Sequence, residues 1–392
     1  MGYPLLKTDG LDDIGQVDIA DAIATDSEVT IREEGNMIPK RRTSLLSKQD
    51  TGRSNKIRYA VVGLGYIAQV AVLPGFKTAS KNSELVALVS DDPVKLRKLG
   101  RKYNVPHLCS YEEYDELLTS GKIDAVYIAL PNTMHADFTI RAAKAGIHVL
   151  CEKPMEVSEA RCLDMIKACK QDNVKLMIAY RLHLEPTNLE AIRIAASKKL
   201  GDVRIFNSVF TMQVTDEENI RLDASLGGGP LYDIGIYCIN AARYLFQAEP
   251  IEVVAFASSD HQDSRFEEVD EMTSVIMRFS DNRLATFICS FGSADVANYQ
   301  LVGTKGDLKV ESAYEYAGEM KYTVTVNGKS KEYKSRKHDQ FGAELLYFSQ
   351  CIMQDTDPQP SGQEGMADVR IIEALLQSLQ TGQSVRIEPT PV

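Results

Sequence analysis

The hydrophobic pattern changes character twice along the chain. Up to residue 54 apolar positions keep no sustained period. From Lys56 short apolar runs alternate with helical patterns. The pattern predicts strands over 57–62, 85–90, 123–130, 148–151 and 175–180. Between them it predicts helices from the glycine turn at 63–68 to about 79, and over 93–103, 133–145 and 158–171. Pro93 stands in a first helical turn and Gly146 closes the third helix. The run Val126-Tyr127-Ile128-Ala129-Leu130 has no polar face, as expected of a strand covered on both sides. Strands alternating with helices of this length predict βαβ units and a parallel sheet.

After Tyr180 the alternation stops. A helix over 190–197 and a strand over 203–214 precede Gly227-Gly228-Gly229 and a helix over 232–246. Strands then follow in succession, over 251–257, 273–279, 284–291, 299–302, 307–311 and 322–326. Asp281-Asn282 and Asn327-Gly328 are turn signals among them, and two helices finish the chain, over 340–353 and 366–380. The reading is an α/β chain. An N-terminal extension (1–54) precedes a parallel-sheet domain (55–180) whose first strand runs into Gly63-Leu64-Gly65-Tyr66-Ile67-Ala68, the glycine turn of a Rossmann dinucleotide-binding domain. The rest (181–392) is an α+β domain with a large, mainly antiparallel, open-faced sheet.

Three of its strands are apolar on both faces. In the first, Ile251, Val253 and Ala255 oppose Val254 and Phe256. In the second, Val275, Met277 and Phe279 oppose Ile276. In the third, Ala285, Phe287, Cys289 and Phe291 oppose Leu284 and Ile288. Helices can cover one face only. The other predicts a homodimer through this sheet, or a tetramer built from such dimers.

Composition narrows the class. Apolar residues make up 44% and charged residues 25%, with a net charge of −11. Such a charge opposes binding to nucleic acid or an anionic membrane. No apolar run approaches the ~18 residues of a membrane helix. The N-terminus lacks a basic start and apolar core, and the residues after Arg41-Arg42 are too polar for a twin-arginine signal, so a cytoplasmic location is expected. The seven cysteines form no C-x-x-C pair and read as reduced core residues. The six histidines are scattered, and no metal site is expected. Between Asp9 and Glu34 stand nine acids and one base. That stretch reads either as a solvated tail or as an arm across a neighbouring subunit.

The candidate chemistry lies at strand ends. Gly63-Leu64-Gly65-Tyr66-Ile67-Ala68 is a G-x-G-x-x-A dinucleotide fingerprint placed between a strand and a helix. The second strand ends at Ser90. If Ser90 meets the ribose, Lys95 one turn later can neutralise a 2′-phosphate; if Asp91 points inward, NAD is preferred. The reading favours NADP. Glu152-Lys153-Pro154 follows a further strand of the same sheet, where a bound nicotinamide should lie. A lysine there can hold a carbinol oxygen and steady developing charge. Asp233 and Tyr237 lie four apart on one helix face, and the tyrosine phenol can pass a proton if a nearby cation lowers its pKa from ~10.

These residues carry a resemblance. Residues 57–181, with Ala129-Leu130-Pro131-Asn132-Thr133-Met134-His135 and Cys151-Glu152-Lys153-Pro154-Met155, look like the Gfo/Idh/MocA oxidoreductase family. Gly227-Gly228-Gly229-Pro230-Leu231-Tyr232-Asp233-Ile234-Gly235-Ile236-Tyr237 matches its second signature, with tyrosine where much of the family has histidine. Tyr180-Arg181-Leu182-His183-Leu184-Glu185-Pro186 and residues 362–370 resemble the glucose–fructose oxidoreductase branch. The segment 212–226 departs from it. The resemblance implies hydride transfer between a nicotinamide and a carbinol carbon of a sugar, cyclitol or related polyol. It implies catalytic roles for Lys153, Asp233 and Tyr237. It places Gly63, Gly65, Tyr66, Ile67, Ser90, Lys95, Leu130, Pro131, Asn132, His135, Glu152, Lys153 and Arg181 around the cofactor. His135 is expected to begin a packed helix rather than act as the base. The alternatives are a carbonyl reductase or diol dehydrogenase on non-sugar substrates, and a nucleotide-binding sensor without turnover.

Overall fold

Strands of the alternating half build one parallel sheet. They are β1 (Ile57–Val62), β2 (Ser83–Val89), β3 (His107–Cys109), β4 (Ala125–Ile128), β5 (His148–Glu152) and β6 (Leu176–Ala179). Their order in space is β3-β2-β1-β4-β5-β6, and every pairing is parallel. The order reverses between β1 and β4, so the crevice at their carboxyl ends is the ligand site that such sheets offer. This computed structural model describes residues 56–388, and the readings made for residues 1–54 fall outside it.

Each face of this sheet has its own core. Ala60, Val62, Val126 and Val149 point to one side, and Tyr59, Val61, Tyr127, Leu150 and Met177 to the other. The second face is covered partly by the late helix Gln340–Gln354, through Phe341, Leu345 and Phe348. The chain thus returns to the first sheet after building the second.

Among the described residues the second sheet has nine strands: β7 (Val203–Gln213), β8 (Pro250–Ser258), β9 (Met272–Phe279), β10 (Arg283–Ser290), β11 (Gly292–Gly303), β12 (Gly306–Glu311), β13 (Lys321–Val326), β14 (Lys329–Lys334) and β15 (Val385–Arg386). They lie in the order β14-β13-β12-β11-β7-β10-β9-β8-β15. Only β7 and β10 pair in parallel; the other pairings are antiparallel. Helices Ile236–Phe246 and Gly362–Thr381 pack on one face, burying Val253, Ala255, Val275, Met277, Phe279, Ala285, Phe287 and Cys289. The opposite face leaves Ile205, Phe256, Ile276, Leu284 and Ile288 exposed, Phe256 to 68%.

Some boundaries differ from the sequence pattern, each for a physical reason. Ile251 is exposed rather than facing inward with Val253, because the β8–β9 register shifts between Pro250 and Glu252 and a bulge turns it over. β14, which the sequence pattern did not predict, is almost wholly polar and has no apolar alternation. Its turn defines it, with Asn327 and Gly328 at φ 50° and 75°, and Tyr322 stacks on Tyr333 across the hairpin at 4.8 Å. A lysine-rich edge strand also discourages pairing with other chains. The helix expected from 190 begins at Pro186, where the Glu185 side chain accepts from the Asn188 amide at 2.9 Å. β11 runs from Gly292, well ahead of the expected 299, past an irregularity in its pairing with β7.

All seven cysteines are free thiols, six of them buried. Among the described residues no helix is long and apolar enough to cross a membrane, and no three His, Cys, Asp or Glu side chains converge as metal ligands.

Candidate active site

The fingerprint turn is shaped for close approach. Gly63 has φ 91°, and a Cβ there would lie 2.3 Å from the Ala129 carbonyl oxygen. Gly65 is exposed, and a Cβ there would meet nothing within 4 Å, so its backbone faces open space. Tyr66 is 65% exposed beside it, and Ile67 is half-buried where the chain enters a π-helical turn, Ala68–Val72. At the end of β2 the Ser90 hydroxyl is buried and accepts from the Asp92 amide at 3.2 Å. Asp91 is drawn aside: its Oδ1 accepts from the Tyr111 amide at 2.8 Å. Lys95 stands at the rim, its Nζ 3.2 Å from Asp92. That exposed pair is weak enough to exchange for a stronger anion.

The carboxyl end of β5 brings the acid–base candidates together. Lys153 Nζ donates to Asp233 Oδ1 at 2.9 Å and to the Asp233 carbonyl at 2.7 Å. The same Nζ lies 4.8 Å from the centre of the Tyr237 ring. Asp233 sits on a π-helical turn, Leu231–Gly235, that runs into helix Ile236–Phe246. The Lys153 and Asp233 side chains keep 10% and 22% of their area, so the pair is screened from bulk water yet reachable from the cleft. Burial pushes the Asp233 carboxyl up, but Arg221 and Lys153 outweigh it and hold it well below the usual carboxylate range. Burial likewise works against the Lys153 ammonium; Asp233, then Tyr237 and Glu152, more than offset it and keep its pKa raised.

The loop after β4 supports this arrangement. Leu130 is buried, and Asn132 Nδ2 donates to the Gly227 carbonyl at 2.7 Å, tying the first sheet to the glycine run. Pro131 is half-exposed beside it. His135 starts helix His135–Lys144 and is fully buried. Its Nδ1 lies 2.9 Å from the Pro154 carbonyl and its Nε2 3.0 Å from the Leu130 carbonyl. Each ring nitrogen faces a main-chain carbonyl; burial lowers the ring's pKa, and the neutral ring donates its one N–H to one carbonyl and abuts the other. His135 fixes the two loops and offers no free nitrogen to a ligand.

Arg181 is buried against the site rather than reaching into the cleft. It donates to Gln340 Oε1 at 2.5 Å and to the Tyr314 carbonyl at 2.6 Å, and its guanidinium lies 5.0 Å from the Tyr237 ring centre. Glu152 is buried, accepts from the Tyr127 hydroxyl at 2.8 Å, and has its pKa raised by burial. Sequence reasoning missed Arg221, whose Nε donates to Asp233 Oδ2 at 2.5 Å. One signal was available: Arg221 is the only base in 212–226, among four acids.

Comparison with known proteins bears on this site. Residues 57–180 match the model of an oxidoreductase family with an NAD-binding Rossmann fold, and residues 189–309 match the Gfo/Idh/MocA C-terminal domain. The chain belongs to the Gfo/Idh/MocA oxidoreductase family. Its relatives include the D-xylose 1-dehydrogenase [NADP(+)] of Haloarcula marismortui, 30% identical over 87% of this chain and 96% of that one. The crystal structure of aldose–aldose oxidoreductase from Caulobacter crescentus, complexed with glycerol, superposes with a TM-score of 0.81 at 37% identity, over 85% of this chain and 100% of that one. Trans-1,2-dihydrobenzene-1,2-diol dehydrogenase of Xenopus tropicalis is 25% identical over 70% of this chain and 80% of its own. As a Gfo/Idh/MocA oxidoreductase, the chain carries a lysine, an aspartate and a tyrosine in contact at the mouth of its nucleotide crevice.

Proposed function

We propose that the chain is an NADP-dependent sugar dehydrogenase that moves hydride between the nicotinamide and a carbinol carbon, most directly C1 of a cyclic aldose to give a lactone. The observation that carries this reading is the Lys153–Asp233–Tyr237 contact set at the carboxyl end of β5. The relatives that act on D-xylose and on aldoses support the substrate class.

The residues at the nucleotide end fit NADP. The open backbone at Gly65 suits a pyrophosphate, and the buried Ser90 hydroxyl with Lys95 suits a 2′-phosphate. Asp91, the group that would select NAD, is occupied by Tyr111. When bound, NADP supplies the hydride acceptor. Tyr237 takes the hydroxyl proton as the C–H bond breaks, and returns it in the reverse direction. Lys153, held by two bonds to Asp233, keeps its third N–H for the substrate oxygen and sets its charge 4.8 Å from the ring centre of the proton carrier. Asp233 fixes Lys153 in place and stays ionised throughout.

The test is absorbance at 340 nm with NADP and a panel of aldoses and polyols. Turnover with an aldose, lost by ~10²–10⁴-fold in Lys153→Met, upholds the reading. Tight NADP binding with no turnover on any member makes the chain a sensor instead. Turnover with aromatic diols alone favours the second reading, a diol dehydrogenase, which the Xenopus relative motivates. A nucleotide that survives gel filtration and cycles between two sugars would mean coupled oxidation and reduction on one bound cofactor. The exposed apolar face of the second sheet supports a homodimer, or a tetramer of such dimers.

A further inference from the structure

The Arg221 loop is built onto the glycine run. Asn219 caps the short turn Ile220–Leu222, its Oδ1 accepting from the Arg221 amide at 3.1 Å. Gly229 and Gly228 donate their amides to the carbonyls of Arg221 and Asp223, at 2.8 and 2.9 Å. A Cβ at Gly228 would lie 2.6 Å from both of those oxygens. The triple glycine therefore seats the loop that carries Arg221.

We propose that Arg221 is a positioning residue for the hydride-transfer reaction: it shares Asp233 with Lys153 and gives the cluster facing Tyr237 a net positive charge. The proposal rests on the assignment of Tyr237 as the proton-transfer group. Asp233 has two oxygens, and each takes one cation, Lys153 on Oδ1 and Arg221 on Oδ2. Two cations against one anion leave one positive charge beside the tyrosine. Without Arg221, Asp233 would neutralise Lys153. In either direction of reaction Tyr237 alternates between phenol and phenolate, and the surplus charge stabilises the phenolate.

Arg181 adds a separate charge: its guanidinium lies 5.0 Å from the ring centre and its bonds go to neutral acceptors, Gln340 and the Tyr314 carbonyl, so it is there with or without Arg221, and Arg221 sets only the charge of the Lys153–Asp233–Arg221 cluster. Phe210 and Tyr314 pack on the ring from the second sheet side. Glu152 is buried against Tyr127, and its pKa is raised. The phenols of Tyr66 and Tyr316 face one another at 3.4 Å. The acids nearest the loop, Asp223 and Glu268, are engaged by the amides of residues 224–226.

The experiment compares wild type, Arg221→Met, Arg221→Lys and Tyr237→Phe. Each is assayed for kcat against pH in the oxidative direction, with NADPH binding followed by fluorescence. In the oxidative direction wild-type kcat is expected to rise with pH to a plateau. Arg221→Met moves that limb up by on the order of one pH unit, the effect of one lost charge nearby. Arg221→Lys keeps the limb near the wild-type pH while lowering the plateau, because the charge survives and the rigid guanidinium does not. An unmoved limb in Arg221→Met, with Tyr237→Phe inactive, overturns the proposal and leaves the site reading standing. So does loss of NADPH binding in Arg221→Met without a shift, which would make Arg221 a cofactor ligand. Full activity in Tyr237→Phe removes the site reading itself.

Discussion

Replacing Tyr237 with phenylalanine is a clean perturbation here. The ring is held by Lys153 at 4.8 Å, Arg181 at 5.0 Å, Phe210 at 5.6 Å and Tyr314 at 5.9 Å. A phenyl ring keeps all four contacts. The phenol oxygen has no hydrogen-bond partner in the protein among the described residues. Its removal strands no buried donor or acceptor, so stability should change by no more than ~0.5 kcal/mol. Nucleotide binding should stay within a few-fold. What is lost is the group proposed to carry the proton. Losing a general acid–base group lowers kcat by roughly 10²–10⁴-fold, about 3–5 kcal/mol of barrier. Thermal melting, NADPH fluorescence titration and kcat at 340 nm separate the three quantities. A kcat within about fivefold of wild type, or a rise in KM with kcat unchanged, would refute the assignment, since the second pattern is loss of uniform binding.

Ser90→Asp should turn preference from NADP towards NAD, read as the ratio of kcat/KM for the two cofactors; a wild-type preference for NAD would overturn the Ser90 and Lys95 reading. A charge placed on the open sheet face, Ile276→Glu or Ile288→Glu, should lower the molar mass measured by light scattering at micromolar concentration, and a wild type already monomeric there would defeat the idea of a partner on that face. Acid should destabilise the protein partly through His183, whose pKa burial depresses to about 4. The native state then disfavours the protonated ring, so this stability is complete above pH ~6.5 and is lost as pH falls towards 4, roughly 2 kcal/mol by pH 5. Urea midpoints at pH 7 and pH 5 should differ less in His183→Gln than in wild type.

The parallel sheet was legible because each of its longer strands is buried on both faces and flanked by a periodic helix. β3 escaped, since His107-Leu108-Cys109 is too short to show a period. β14 escaped because its side chains face water and its position comes from a turn and an edge, not from burial. Lys153, Asp233 and Tyr237 were singled out by motif, and the fold brings Lys153 into contact with both of the others. Arg221 was not. Its loop is fixed by amides of the glycine run, and those glycines had been read as a signature without a reason for their lack of side chains. Ile251 shows the limit of the two-residue period: one bulge reverses a side chain without altering the sequence pattern.

The Lys153–Asp233 pair joins residues 80 positions apart, one at the end of the nucleotide-binding sheet and one in the following domain. On the proposed mechanism this pair is both a link between the two sheets and part of the acid–base set. Any motion that drew the halves apart would therefore separate the lysine from its aspartate and take the proton-transfer group out of register in the same step.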